Sequence, residues 1–291
     1  MEIKKVGVLG CGLMGHGIAQ ICAQAGWEVV VREVDQGRLD SGIAKIEKQL
    51  ARAVEKGRAE QAEADTVRAR ISPTLDYGDL AESDLVIEAI TEDLDTKLEM
   101  WREVDGLVKE SAFLATNTSS LPVGEQADAT SRPQSFLGLH FFNPAQVMPL
   151  LEVVRAERTS DAAYGLGFDV GKRLGKTTVA AKDNRGFIVN RLLVPYMLDA
   201  IRAYEQGVGS IEDIDEGMKA GASHPMGPLT LADFVGLDTL SSIAGVMHDA
   251  YGEERFAAPP TLTKLVDAGD YGRKSGRGFY DYSGERPVPT R

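Results

Sequence analysis

Of the four histidines in the sequence, His140 stands in the most reactive company. It closes the apolar run Phe136–Leu139 in "GLHFFNPAQVMPLLEVV", and Glu152 follows twelve positions later, inside a second apolar run, Leu150–Val154. A carboxylate on what reads as a buried strand needs a partner to offset its desolvation. Histidine is a suitable one. The carboxylate would fix the imidazole tautomer and stabilise the imidazolium, which is the arrangement of a general acid/base. An ordinary buried polar contact has the same spacing, so the pair alone leaves both readings open. A reacting oxygen also needs hydrogen-bond donors. Ser119 and Ser120 in "ATNTSSLP" offer them beyond a strand, and Asn190 does so in the apolar "GFIVNRLL". Serines there also cap helices, and Asn190 equally suits a buried backbone group. His16 and His248 read as structural or solvated.

A second constellation is the run Gly10-Cys11-Gly12-Leu13-Met14-Gly15. Glycine triplets arise by chance, and this one carries meaning only between a strand and a helix. Lys5–Leu9 reads as the strand and Leu13–Ala25 as the helix. Gly10 would then make the tight turn, Gly12 would let a pyrophosphate approach the backbone, and Gly15 would let helix pack on strand. Leu13 and Met14 complete a turn whose helix N-terminal amides face negative charge. The next strand ends in "WEVVVREVD", where Glu33, ahead of Asp35, suits the ribose hydroxyls. An acid there opposes a 2′-phosphate, so NAD is expected over NADP, although Arg32 beside it works against that preference. A nicotinamide next to a His–carboxylate pair points to hydride transfer between an alcohol and a ketone.

These residues need a frame that brings them together. The first half alternates Val/Ile/Leu runs with helical patterns, the signature of βαβ units and a parallel sheet. Strands are expected at Lys5–Leu9, Glu28–Arg32, Leu85–Ala89, Phe113–Thr116, Phe136–Leu139, Leu150–Val154 and Thr177–Ala181. Between the second and third, Gly37–Arg70 carries Ile43, Ile46, Leu50 and Val54 at helical spacing, and Gly57 breaks it into a helical hairpin. From Gly186 to Gly278 the pattern is helical, with helices at Phe187–Tyr204, Ser210–Ala220, Pro228–Val235 and Leu237–Tyr251, and Gly284–Arg291 reads as a frayed tail. The fold class is therefore α/β: a Rossmann-like dinucleotide-binding domain over 1–184 with a helical-hairpin insertion, then an all-α domain over 185–291.

Bulk properties narrow the function. A chain of 291 residues exceeds the usual single core, and 43% hydrophobic with 26% charged residues is a globular balance. The net charge of −12 argues against nucleic acid. No stretch approaches the roughly 20 apolar residues of a membrane span, and the N-terminus reads as a strand rather than a signal sequence. Two cysteines, Cys11 and Cys22, make no disulfide framework, and no Cys/His cluster suggests a metal. The expectation is a cytoplasmic protein without metal. Cys22 reads as a small buried helix residue and Cys11 as a side chain tolerated in the turn.

Together, "GCGLMGHGIAQ", "DLVIEAI", "NTSSLP", "GLHFFNPAQVMPLLEVV", "GFIVNRLLVPY", "EDID", "HPMGP" and "GRKSGRGFYDY" resemble the 3-hydroxyacyl-CoA dehydrogenase family, most closely its short 3-hydroxybutyryl-CoA dehydrogenase members. The resemblance spans nearly the whole chain. It implies reversible NAD-dependent oxidation of an (S)-3-hydroxyacyl-CoA thioester to the 3-oxoacyl-CoA, and a helical domain that mediates homodimerisation. It implies His140 as acid/base, Glu152 as its partner, and Ser119 and Asn190 as substrate contacts. It places the cofactor against Glu33, Glu92, Lys97, Ser119, Asn143 and Lys274. It assigns coenzyme A to the helical hairpin at Lys56, with Arg52 one turn before it. Three positions depart from the family pattern: Glu33 replaces a common aspartate, Arg185 replaces a proline before Gly186-Phe187, and Gln49 replaces a serine that contacts coenzyme A. Two other readings compete, a dehydrogenase of another small hydroxy acid and a non-catalytic cofactor-binding protein.

Overall fold

Alternating apolar side chains decide the architecture. In the computed structural model, which describes residues 2–290, the chain forms two compact units, Met1–Phe187 and Ile188–Arg291. The first runs β1 (Lys5–Leu9), α1 (Gly15–Gln24), β2 (Glu28–Arg32), α2 (Gln36–Glu55), α3 (Gln61–Ala69), β3 (Ile71–Thr74), β4 (Leu85–Glu88), α4 (Leu94–Asp105), β5 (Phe113–Thr116), α5 (Val123–Asp128), β6 (Phe136–Phe141), β7 (Leu150–Arg155), α6 (Asp161–Arg173) and β8 (Thr177–Lys182). The strands form one eight-stranded sheet in the order β3-β2-β1-β4-β5-β6-β7-β8. Successive residues of a strand face opposite sides. Val29, Val31, Leu85 and Ile87 pack with α1, α2, α3 and α6, while Val30 and Val86 pack with α4 and α5 around Trp101.

The sheet is parallel except between β6 and β7, which pair antiparallel with His140 opposite Glu152. The sheet is otherwise parallel, as the alternation of strand and helix patterns predicts. The connection Phe142–Pro149 between β6 and β7 is too short for a crossover helix, so the chain turns back on itself. β3 was not expected. Its four residues include Pro73 at the sheet edge, the place where a strand tolerates proline.

Caps explain most helix starts. Asp35 accepts from the Arg38 amide at α2, Asp93 from Thr96 at α4 and Ser160 from Ala163 at α6. α5 is capped from a distance: its Val123 and Gly124 amides donate to the Asp183 carboxylate, beyond β8. Gly57 ends α2 with φ +63° and opens the hairpin to α3.

The second unit contains α7 (Val189–Glu205), α8 (Ile211–Ala222), α9 (Pro228–Val235), α10 (Leu237–Tyr251) and α11 (Pro260–Asp267) around Leu198, Leu229, Leu240, Phe256 and Phe279. Two buried carboxylates organise it. Asp215 caps α9 through the Leu229 and Thr230 amides and accepts from the Tyr280 hydroxyl. Asp233 accepts from the Phe279 and Tyr280 amides and the Tyr282 hydroxyl. The tail therefore docks rather than frays: β9 (Tyr280–Asp281) pairs with β10 (Val288–Pro289), a small ladder absent from the all-α expectation. Among the described residues no single helix is long and apolar enough to cross a membrane.

Candidate active site

The glycine turn lies where a dinucleotide requires it, between β1 and α1. Gly10 has φ +92°, a region open to glycine at little cost. A Cβ on Gly15 would run into the Gly10 carbonyl oxygen, whereas one on Gly12 would meet nothing within 4 Å. The first absence of a side chain lets helix and turn close up, and the second keeps the backbone open to a ligand. Leu13 is exposed beside it. At the end of β2, Glu33 is pinned by the Cys11 amide at 2.8 Å and the Val34 amide at 2.9 Å. One bond to each oxygen leaves lone pairs for ribose hydroxyls. The residues present thus fit a dinucleotide. Arg32 is engaged with its own surroundings, stacked 3.7 Å over the Tyr77 ring and donating to the Tyr77 hydroxyl and the Leu75 carbonyl.

His16 is neither solvated nor idle. Its Nδ1 lies 2.6 Å from the Gly12 carbonyl, and the Gln49 amide sits 3.1 Å from Nε2. A carbonyl only accepts, so Nδ1 carries the hydrogen and Nε2 accepts from Gln49. Gln49 thereby ties α2 to the glycine turn. Lys56 and Arg52 are exposed at the C-terminal end of α2.

His140 and Glu152 meet across the β6–β7 ladder, Nδ1 to Oε2 at 2.6 Å, with the carboxylate fully buried. A carboxylate accepts, so Nδ1 holds the proton and Nε2 remains the basic nitrogen of the neutral ring. Phe142 and Phe187 flank the imidazole at centroid distances of 4.6 and 5.4 Å. Phe187 has φ +46° and follows Gly186 at φ +79°, a left-handed pair uncommon for a bulky residue.

A third cluster joins the ends of β4 and β5. Glu92 Oε1 accepts from the Thr118 hydroxyl at 2.6 Å and the Ser119 amide at 2.8 Å, and the Ser119 hydroxyl lies 3.2 Å away. Its other oxygen is 3.2 Å from Lys97, whose ammonium also bonds Glu88 at 2.5 Å. Burial pushes the Glu92 carboxyl up, but Lys97 together with Thr118 and Ser119 outweighs it and holds the group below the usual carboxylate range. Lys97 is enclosed, so its charge reaches the crevice through Glu92. Asn117 accepts from the Phe141 amide and links this cluster to β6 beside His140.

Glu88, Asn117 and Thr118 escaped the sequence reading. Glu88 carried a signal, since an acid ending the apolar run of "DLVIEAI" is as anomalous as Glu152. Asn143 is exposed after β6. Asn190 and Lys274 belong to the second unit: Asn190 lies in the first turn of α7, and Lys274 is held by Asp238 at 2.7 Å.

Comparison with known proteins agrees with this geometry. The 3-hydroxyacyl-CoA dehydrogenase NAD-binding domain matches residues 5–184, and the C-terminal domain of the same family matches 186–282. A 3-hydroxybutyryl-CoA dehydrogenase of Bradyrhizobium diazoefficiens is 45% identical over 99% of this chain and 99% of its own. One from Mycobacterium tuberculosis is 47% identical over 96% of this chain and 99% of its own. The solved (S)-3-hydroxybutyryl-CoA dehydrogenase of Ralstonia eutropha superposes with a TM-score of 0.93 at 40% identity, covering 97% of this chain and all of that one (100%). With both domain families matched in order and relatives aligned end to end, the chain belongs to the 3-hydroxyacyl-CoA dehydrogenase family.

Proposed function

We propose that the protein interconverts (S)-3-hydroxybutyryl-CoA and acetoacetyl-CoA with NAD, with His140 as general acid/base. The observation that carries this reading is the buried His140–Glu152 pair at 2.6 Å. NAD, when bound, would supply the hydride acceptor for the substrate's C3 in oxidation and the donor in reduction. The chain handles the proton. In oxidation, His140 Nε2 takes it from the 3-hydroxyl, and Glu152 stabilises the imidazolium. In reduction, the same nitrogen returns it. Ser119, beside Glu92, supplies a donor to the reacting oxygen, and the family resemblance gives Asn190 a substrate contact as well.

The strand order supports a path for the cofactor. Glu33 ends β2, the glycine turn follows β1, Glu92 and Ser119 follow β4 and β5, and His140 lies on β6. Ribose, pyrophosphate, nicotinamide and reacting carbon would then lie in order along the C-terminal edge of the sheet, where such folds bind ligands. Asn143 extends the nicotinamide end of that contact set, with Lys97 acting behind Glu92, and the family resemblance adds Lys274 to the cofactor contacts. The carboxylate of Glu33 opposes a 2′-phosphate, and Arg32 is occupied by Tyr77, which favours NAD over NADP. Lys56 and Arg52 give an acidic protein a local basic spot for coenzyme A phosphates. Self-association through the second unit fits its exposed Leu192 on α7 and Phe234 on α9, and sedimentation of the purified protein tests it.

The test of function is NADH absorbance with acetoacetyl-CoA. Turnover with the thioester and none with free acetoacetate is expected. Turnover of the free acid alone would assign a different hydroxy-acid dehydrogenase, and no turnover of either by micromolar enzyme would overturn the reading.

A further inference from the structure

Glu88 is the most enclosed acid near the site that the reaction does not use. It is fully buried at the end of β4, and three groups donate to it: Lys97 Nζ at 2.5 Å, the Thr116 hydroxyl at 2.6 Å and the Ile90 amide at 2.8 Å. All three contacts use the carboxylate as an acceptor, and the Lys97 ammonium forms an ion pair with it. Glu92 is likewise surrounded, by Thr118, Ser119, Ser120 and Lys97. Two carboxylates therefore share one ammonium, and the cluster keeps one net negative charge. A buried ion pair is a weak source of stability, because desolvation offsets its attraction. What the Glu88–Lys97 pair does provide is a fixed position for Lys97 beneath Glu92, and a fixed charge screened little by solvent.

We propose that Glu88 is a positioning residue that, through Lys97 and Glu92, holds a net negative site at the ends of β4 and β5, and that this site favours the cationic oxidised nicotinamide over the neutral reduced one. The proposal rests on the cofactor path given above, with the nicotinamide over β4 and β5. Its consequence is thermodynamic. A fixed anion beside the ring tightens NAD⁺ relative to NADH, and so shifts the reduction potential of the bound couple downward. Removing one acid makes the cluster neutral, whereas removing Glu88 and Lys97 together leaves the single charge of Glu92.

The experiment measures dissociation constants for NAD⁺ and NADH separately, by calorimetry without any acyl-CoA, in wild type, E92Q, E88Q and the double variant E88Q/K97M. In E92Q and E88Q the ratio of the NAD⁺ constant to the NADH constant is expected to rise about tenfold, the effect of a unit charge roughly 10 Å away at an effective dielectric of about 20 or somewhat above. In E88Q/K97M it is expected to stay within about twofold of wild type, because the net charge is kept. Equal loss of both affinities in E92Q and E88Q would overturn the proposal and leave the cluster as scaffold. So would a double variant that shifts the ratio as far as E88Q. Should E88Q fail to fold, E92Q tests the charge, because its side chain is partly exposed, and the double variant tests the pair. Wild-type protein that bound neither nucleotide would overturn the dinucleotide reading itself, and this proposal with it.

Discussion

Replacing Glu152 with glutamine isolates the charge behind His140. The glutamine has the same shape, and its carbonyl oxygen can still accept from Nδ1 across the 2.6 Å gap now spanned by Oε2. What disappears is the negative charge facing the imidazolium once His140 has taken the substrate proton. At roughly 4 Å and an effective dielectric of about 20, that charge is worth about 4 kcal/mol to the protonated ring. The retained amide dipole and partial relaxation reduce the loss to about 2–4 kcal/mol, or about 30- to 1,000-fold in kcat. The assay is steady-state NADH oxidation with acetoacetyl-CoA, beside NADH binding followed by fluorescence. Binding should stay within about twofold, because Glu152 lies on β7, away from Glu33 and the glycine turn on β1 and β2. A kcat within about fivefold of wild type would refute the reasoning, as would a loss of binding as large as the loss of rate. H140Q, which removes the base itself, should lose about 10²–10⁴-fold in kcat with binding kept.

Other outcomes follow from geometry. G15A forces a methyl group into the Gly10 carbonyl, so about 1–3 kcal/mol of overpacking should appear as a lower melting temperature and weaker NADH binding; a variant unchanged in both would contradict the packing of the turn. E33A strands the Cys11 and Val34 amides and should weaken NADH by about tenfold while narrowing its lead over NADPH, a result read from binding of the two cofactors. The Asp233 carboxyl is pushed up to about 6, first by burial and further by the charge of Asp215, against the donors that partly hold it down. Its folded value exceeds the unfolded one near 3.9, so its contribution is complete below about pH 4 and is lost as pH rises through about 6. Relative to D233N, wild-type stability should therefore fall by on the order of 1–3 kcal/mol between pH 4 and 7, and parallel melting curves at all pH values would contradict it.

What could be seen in the sequence were the features written in local pattern. The glycine turn, the acid Glu152 on its apolar strand and the helical periodicity of Gln36–Glu55 each leave a mark within a few residues. The His140–Glu152 contact was readable because an acid on a buried strand demands a partner and few histidines were available. Lys97 was less readable. A lysine in the first turns of a helix looks solvated until the fold closes Glu88 and Glu92 around it. The same holds for Asp183, which caps α5 from sixty residues away in sequence, and for Asp233, which anchors the C-terminal tail. β3 and β10 were missed because Pro73 and Pro289 suppress strand signals that the edge of a ladder tolerates.

The cysteine of the glycine turn has a bearing on what the enzyme can safely hold. Cys11 is closed off between the turn and α2, where Gly42 leaves it just enough room, and burial together with the charge of Glu33 pushes its thiol up to about 12. Burial alone does the same to Cys22. The nucleophile is the thiolate, and at neutral pH such a thiol is ionised in only about one molecule in 10⁵. A protein that works on activated acyl groups thus carries no sulfur able to steal them. Neither thiol is poised to take an acyl group from a thioester, at the turn or on the helix behind it.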